Sequence, residues 1–223
     1  VSTLDAIRSR IEAARPAGGA EVRLLAVSKG QPVEAIRALA AQGQRHFGEN
    51  YVQEAIAKIA ALGDPSLVWH LIGPLQSNKC AEAARHFDWI ESLDRPKLVP
   101  LLAAARPPGR PPLAVLVQVK LDDEPTKSGV PPAEAAALCR LVASAPRLSL
   151  RGLMTIPRPD PDPAIRRARF AELRGLYDAL RREFPSMDTL SMGMSEDFEL
   201  AVAEGATEVR IGTALFGPRP PKR

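Results

Sequence analysis

The chain has 223 residues, 45% of them hydrophobic and 25% charged, the balance of a soluble globular protein with one substantial core. No run of about 18 apolar residues occurs, which excludes a membrane-spanning helix. The net charge of +4 and a pI near 9.3 raise nucleic-acid binding, but the arginines alternate with acidic and apolar residues. Two tyrosines and two tryptophans supply no stacking ladder, so the basic surface reads as solvated and no nucleic-acid partner is expected.

The chain opens on an amphipathic helical pattern, "VSTLDAIRSRIEAARPAGG", with no signal-peptide apolar core; Asp5 and Glu12 among Arg8, Arg10 and Arg15 argue against a transit peptide. Short apolar runs then alternate with helical stretches. Strands are predicted at Arg23–Val27, Arg45–Phe47, Val68–Ile72, Trp89–Ser92, Leu113–Val119, Ser149–Leu153, Thr189–Ser191 and Glu208–Ile211. Helices are predicted at Val33–Gln42, Asn50–Leu62, Lys79–His86, Arg95–Ala105, Pro132–Ala143, Ala164–Phe184 and Glu196–Ala203. Eight strands joined by helical crossovers predict an α/β fold, a single (β/α)8 TIM barrel with an extra N-terminal helix, spanning residues 1–223 as one domain. The proline-rich stretches "RPPGRPPL", "VPPAE" and "PRPDPDP" punctuate that repeat and are too short to separate domains. Cys80 and Cys139 fall on helices, far apart, which gives neither a disulfide framework nor metal spacing and fits a reducing cytoplasm.

In such a barrel the chemistry sits in the loops that follow the strands. Two late segments stand out. "LSMGMSEDFELAVAEG" reads as a strand, a turn through Gly193 and a helix capped by Ser195; "ATEVRIGTALFG" reads as a strand ending in Gly212-Thr213. Hydroxyls, a glycine and helix-start N–H groups are what a phosphate monoester needs. Lys29 closes the apolar strand "RLLAVSK", where a partly desolvated amine is a nucleophile toward aldehydes; alone it reads equally well as a surface lysine at a strand exit. Strand eight neighbours strand one in a closed barrel, so Lys29 and Gly212 are expected close together. A phosphorylated aldehyde satisfies both, and pyridoxal 5′-phosphate is such a molecule. Arg210, two residues before Gly212, is expected to face the same interior and to keep a pyridine nitrogen unprotonated; its bland alternative is a structural arginine at the barrel rim. Glu49 and Asp122/Asp123 show no telling pairing, His46 and His86 look structural, and Lys79 is expected to begin a helix on the surface.

The segments "LLAVSK", "HFGENYVQEAIAK", "WHLIGPLQSNK", "TKSGV", "GLMTI" and "LSMGMSEDFELAVAEGATEVRIGTALFG" together resemble the pyridoxal phosphate homeostasis proteins, whose fold is similar to the N-terminal barrel of alanine racemases. The resemblance covers nearly the whole chain in order. It implies a monomeric or weakly dimeric barrel, expected here as a monomer, that carries the cofactor as an internal aldimine on Lys29. It implies phosphate contacts from Ser195, Gly212 and Thr213, Arg210 at the pyridine nitrogen, Asn50 near the ring, and Met154 or His70 lining it. Apo forms of pyridoxal phosphate enzymes are the implied protein partners. The sequence departs from the family pattern at Gly30-Gln31, which loosens the turn after the lysine, and at Lys120, where the family often has asparagine.

Two other functions share these residues. An amino-acid racemase needs a second base on the opposite cofactor face, usually a tyrosine from an added β-domain. The chain ends at Arg223, just after the eighth strand, and Tyr51 and Tyr177 fall on helices, so racemisation is not expected beyond weak turnover. A Schiff-base aldolase usually places its lysine on a later strand and adds carboxylates for proton transfer.

Overall fold

The computed structural model describes residues 2–122 and 128–218. Asp123, the "TK" of "TKSGV" and most of the C-terminal tail lie outside them. Eight parallel strands close into a barrel in chain order: β1 (Arg23–Val27), β2 (His46–Glu49), β3 (Val68–Leu71), β4 (Trp89–Leu93), β5 (Leu113–Gln118), β6 (Leu148–Met154), β7 (Thr189–Met194) and β8 (Glu208–Ile211). The seam is β8 on β1, with Leu25 beside Arg210 and Ala26 beside Ile211. Helix α1 (Thr3–Ala14) precedes the barrel. The crossovers are α2 (Val33–Ala41), α3 (Val52–Leu62), α4 (Cys80–His86), α5 (Leu98–Ala105), α6 (Pro132–Ser144), α7 (Pro163–Glu183) and α8 (Phe198–Ala203), and α9 (Thr213–Phe216) follows β8. The TIM barrel with an added N-terminal helix is the architecture the alternation predicted.

Local chemistry explains the helix starts. Ser2 caps α1 by accepting the Asp5 N–H at 3.2 Å, and Leu4, Ile7 and Ile11 give that helix one buried face. Asp162 caps α7 by accepting the Ala164 N–H at 2.8 Å, Pro163 presets the first turn, and Phe170, Leu173, Tyr177 and Leu180 form the buried stripe.

Strand alternation divides the buried residues into two shells. Leu24, Ala26, Leu71, Ile90, Val115, Val117, Leu153, Val209 and Ile211 point outward into the helix layer. The inward residues form a much smaller apolar cluster of Trp89, Ala114, Leu116 and Met154. Besides the apolar Leu25, the axis carries a polar set: His70, Glu91, Ser191, Glu208 and Arg210 are all buried there.

Four boundaries differ from expectation around the candidate site. Strand β2 runs on to Glu49. Helix α3 begins at Val52, with Asn50 in the loop and Tyr51 at the N-cap position. Strand β7 continues through a register shift to Met194, and α8 begins at Phe198, so Ser195 is not a helix cap. Gly193 allows this: its φ of +92° favours glycine, and a Cβ there would lie 2.5 Å from the Ala201 Cβ. Asp197 then closes the turn by accepting the Met194 N–H at 2.8 Å.

The closest approach between strands predicts a stability contrast. A Cβ on Gly152 would sit 1.7 Å from the Thr189 carbonyl oxygen, whereas one on Gly63, at the end of α3, would meet nothing within 4 Å. Urea unfolding of Gly152→Ala is therefore expected to show a loss above about 3 kcal/mol, against about 1 kcal/mol for Gly63→Ala from its positive φ alone.

Candidate functional site

A cleft of about 530 Å³ opens at the C-terminal ends of the strands, within the range of small-molecule sites. Val27, Lys29, Asn50, Ile72, Met194, Ser195, Arg210, Gly212 and Thr213 line it, together with Arg166, the acidic Glu196 and Asp197, and the proline-rich loop after β6 with its Asp160. Six of the eight sequence-predicted residues meet here: Lys29, Asn50, Ser195, Arg210, Gly212 and Thr213. His70 and Met154 do not. Both are fully buried one layer deeper, and Ile72 and Ile156, two residues further on, take the positions expected of them. The correction follows from strand geometry, because residues two apart share a face but differ in depth.

On one wall the Gly212 N–H donates to Ser195 Oγ at 3.4 Å, which joins the two late loops. Helix α9 starts at the next residue, and first-turn N–H groups have no partner within a helix. Gly212 has φ −112°, and a Cβ there would make only ordinary contacts of 3.5 Å or more with Val27. The chain's own packing does not demand glycine at this position; its bare backbone leaves the wall open for close approach.

Lys29, half-buried, leaves β1 toward the cleft from the other side of the seam. Gly30 adopts φ +69°, a left-handed turn that glycine suits, and Gln31 is buried; this is the structural meaning of the Gly30-Gln31 departure. Behind the turn lies a cluster that sequence spacing left unread. Ser28 Oγ donates to Glu49 Oε1 at 2.5 Å, and Lys58 Nζ donates to the same oxygen at 2.7 Å. The available signal was Glu54 four residues before Lys58 on a predicted helix. Lys79 ends a 3₁₀ turn over Ser77–Lys79 ahead of α4, reaches Glu82 at 3.4 Å, and is not among the cleft-lining residues.

Arg210 forms the floor. It is 3% exposed, and it donates to Ser191 Oγ at 2.7 Å and to the Thr155 carbonyl at 2.6 Å. Ser191 in turn donates to Glu91 Oε2 at 2.8 Å, and Glu91 Oε1 meets His70 Nδ1 at 2.6 Å. His70 Nε2 lies 3.0 Å from His46 Nδ1, and Glu208 Oε2 accepts from Arg23 at 3.1 Å. Burial holds both imidazoles neutral, with pKa values of about 4 for His70 and about 3 for His46. The ring protons are then fixed by their partners: His46 donates to His70, and His70 Nδ1–H donates to Glu91. Burial lowers the pKa of Arg210 and raises that of Glu91, and each charge opposes the other's shift. Burial and the Glu91 carboxylate push Glu208 up to about 7.

His70, Glu91 and Glu208 bring ligand-type atoms within 4.8 Å of one another, a convergence that sequence spacing did not reveal. Those atoms bond among themselves and to Ser191 and Arg23, and Arg23 and Arg210 supply the positive charge. The cluster is an ionic network in which Glu208 Oε1 keeps no hydrogen-bond partner among the described residues. Asn50 Oδ1 and Arg166 Nε are likewise buried polar atoms without a partner among the described residues, and they belong to residues that line the cleft. Such a pair, one acceptor and one cationic donor, offers polar contacts to a molecule bound in the cleft.

The family model "Alanine racemase, N-terminal domain" matches residues 2–220. A protein of Pseudomonas aeruginosa named "Pyridoxal phosphate homeostasis protein" is 51% identical over 96% of this chain and 93% of its own length. The chain belongs to the pyridoxal phosphate homeostasis protein family. PipY of Synechococcus elongatus, solved with PLP bound, is 44% identical, covers 96% of this chain and 98% of its own, and superposes with a TM-score of 0.85. Alanine racemase of Corynebacterium glutamicum, at 22% identity and a TM-score of 0.65, shares the fold; this chain spans 61% of its length.

The Glu208 carboxyl makes stability depend on pH. Its folded pKa of about 7 lies above its ordinary 4.5, so the folded state binds the extra proton. Its contribution is full below about pH 4.5 and is lost as the pH rises through 7, on the order of 3 kcal/mol in all. Melting temperature measured across that window is expected to fall less in Glu208→Gln than in the unmodified protein.

Proposed function

We propose that this chain binds pyridoxal 5′-phosphate in the cleft and serves intracellular vitamin B6 homeostasis as a carrier of the cofactor. The observation that carries the reading is the meeting of Lys29 with Ser195, Gly212 and Thr213 across the β1–β8 seam, with Arg210 beneath them. The orphaned Asn50 Oδ1 and the open side of Gly212 are the features that fit the group. Lys29 supplies the amine for the aldehyde; the Ser195 hydroxyl and the Gly212–Thr213 backbone hold the phosphate. Arg210, with two donor bonds already fixed, presents a cation that cannot accept a proton and so keeps the pyridine nitrogen bare. When bound, the cofactor supplies an electron sink, and an unprotonated ring nitrogen makes that sink weak. This setting suits storage better than turnover.

The racemase reading loses support from the tyrosines. The Tyr177 hydroxyl is buried on α7 and donates to the Met187 carbonyl, and Tyr51 is 64% exposed at the start of α3. The Pseudomonas aeruginosa relative named as a homeostasis protein favours the carrier reading, as does PipY with its bound PLP. We read the chain as a single barrel domain acting as a monomer, with apo forms of pyridoxal phosphate enzymes as recipients. No helix among the described residues is long and apolar enough to cross a membrane, and Cys80 and Cys139 are buried free thiols, which fits the cytoplasm.

Purified protein mixed with pyridoxal 5′-phosphate is expected to turn yellow and to hold the cofactor irreversibly after borohydride. Lys29→Ala should lose both properties; an unchanged spectrum and fixation in that variant would refute the assignment. Arg210→Gln should shift the absorbance band and weaken retention. Ser195→Ala should weaken binding about fivefold by equilibrium dialysis, the effect of one shared hydrogen bond.

A further inference from the structure

Lys58 is a buried lysine on α3, on a helix face otherwise closed by Val52 and Ala55. Its ammonium donates three hydrogen bonds of 2.7 Å each, to the Ser28 carbonyl, Glu49 Oε1 and Glu54 Oε1. Glu54 Oε1 also accepts the Gly30 N–H at 2.6 Å. The two peptide groups flanking Lys29 are therefore both held from behind: the Ser28 carbonyl by Lys58, and the Gly30 N–H by the carboxylate that Lys58 grips. Ser28 is tied a second time through its hydroxyl to Glu49, and its N–H donates to the Gly48 carbonyl at 3.0 Å.

Packing alone does not call for this arrangement. Burying an ammonium and a carboxylate costs more than filling the same volume with apolar side chains, as neighbouring Val52 and Ala55 do. Burial raises the Glu49 pKa, opposed first by Lys58, so the carboxylate depends on that ammonium for its charge. What the cluster provides is direction. A strand exit followed by a glycine is a mobile place to hang a nucleophile, and an amine must meet a carbonyl carbon within a few tenths of an ångström of the productive geometry.

We propose that Lys58, with Glu49 and Glu54, is a positioning residue that fixes the backbone on both sides of Lys29 and so sets the rate at which Lys29 takes the cofactor aldehyde. The inference rests on the pyridoxal phosphate reading above. The step it governs replaces the aldehyde C=O by a C=N double bond to Lys29 Nζ; the two hydrogens of the neutral amine leave with the carbonyl oxygen as water, with no net oxidation or reduction.

The test separates holding the cofactor from capturing it. Pyridoxamine 5′-phosphate has the ring and phosphate but an amine where the aldehyde stands, so its affinity reports the cleft alone. Lys58→Met is the primary variant. Lys58→Met/Glu49→Gln, which leaves no uncompensated carboxylate at Glu49, is the second, and circular dichroism and melting identify which of them folds. In a folded variant, pyridoxamine 5′-phosphate affinity is expected within about threefold of the unmodified protein. The rate of borohydride-trappable capture of pyridoxal 5′-phosphate should fall at least about tenfold, with a displaced pH midpoint. An unchanged capture rate overturns the proposal, and so does a parallel fall in both quantities, which marks a merely structural role. Failure of both variants to fold also overturns it in favour of that structural role. Unmodified protein that captures no cofactor overturns the cofactor reading first, before any variant is compared.

Discussion

A guanidinium locked inside the barrel is the constraint on which the rest of the site depends. Arg210 is almost wholly buried at the cleft floor, so its charge must be met by fixed partners, and the fold meets it with a chain that runs Ser191, Glu91, His70, His46 along the axis. That chain displaces much of the apolar layering that usually fills a barrel, leaving a small cluster around Trp89 and Met154 and, beside Arg210, Leu25. The exchange costs stability in the core. In return, the cation at the cleft floor has one orientation, one charge and no freedom to accept a proton.

The same logic recurs on the other side of the seam. Lys29 stands on a short turn that would otherwise be loose, and a buried ionic group behind it holds the peptides on either side. The cleft is thus lined by two kinds of group. Arg210 and the backbone around Lys29 are held rigidly by buried partners. Asn50 Oδ1 and Arg166 Nε have no partner among the described residues and await the occupant. A binding protein needs both kinds: rigid groups define what fits, and unpaired groups reward its arrival.

Much of this was legible in the sequence, for reasons that differ residue by residue. The barrel followed from the alternation of apolar runs with helical stretches, because that period is a property of each segment alone. Lys29, Arg210 and Gly212 followed from strand ends and the closure of strand eight on strand one. His70 and Met154 lie buried outside the cleft lining, since alternation gives the face of a residue and says nothing of its depth. The role of Ser195 as a cap was wrong because Gly193 lets β7 run on, and a register shift between strands has no local signature. The buried network of Glu91, His70 and Glu208 was invisible, as its members lie on strands separated by long stretches of sequence. Lys58 was half visible: its spacing to Glu54 could be read on the helix, but its grip on the Ser28 carbonyl could not.

The account turns on Lys29 being the residue that takes the cofactor. Peptide mapping of the borohydride-reduced adduct by mass spectrometry tests this most directly, because other lysines, including Lys58, Lys79 and Lys120, compete for the label. The account predicts that, at one equivalent of pyridoxal 5′-phosphate, the added mass is found on the peptide containing Lys29. A label spread over several lysines, or concentrated on one away from the cleft, would contradict it.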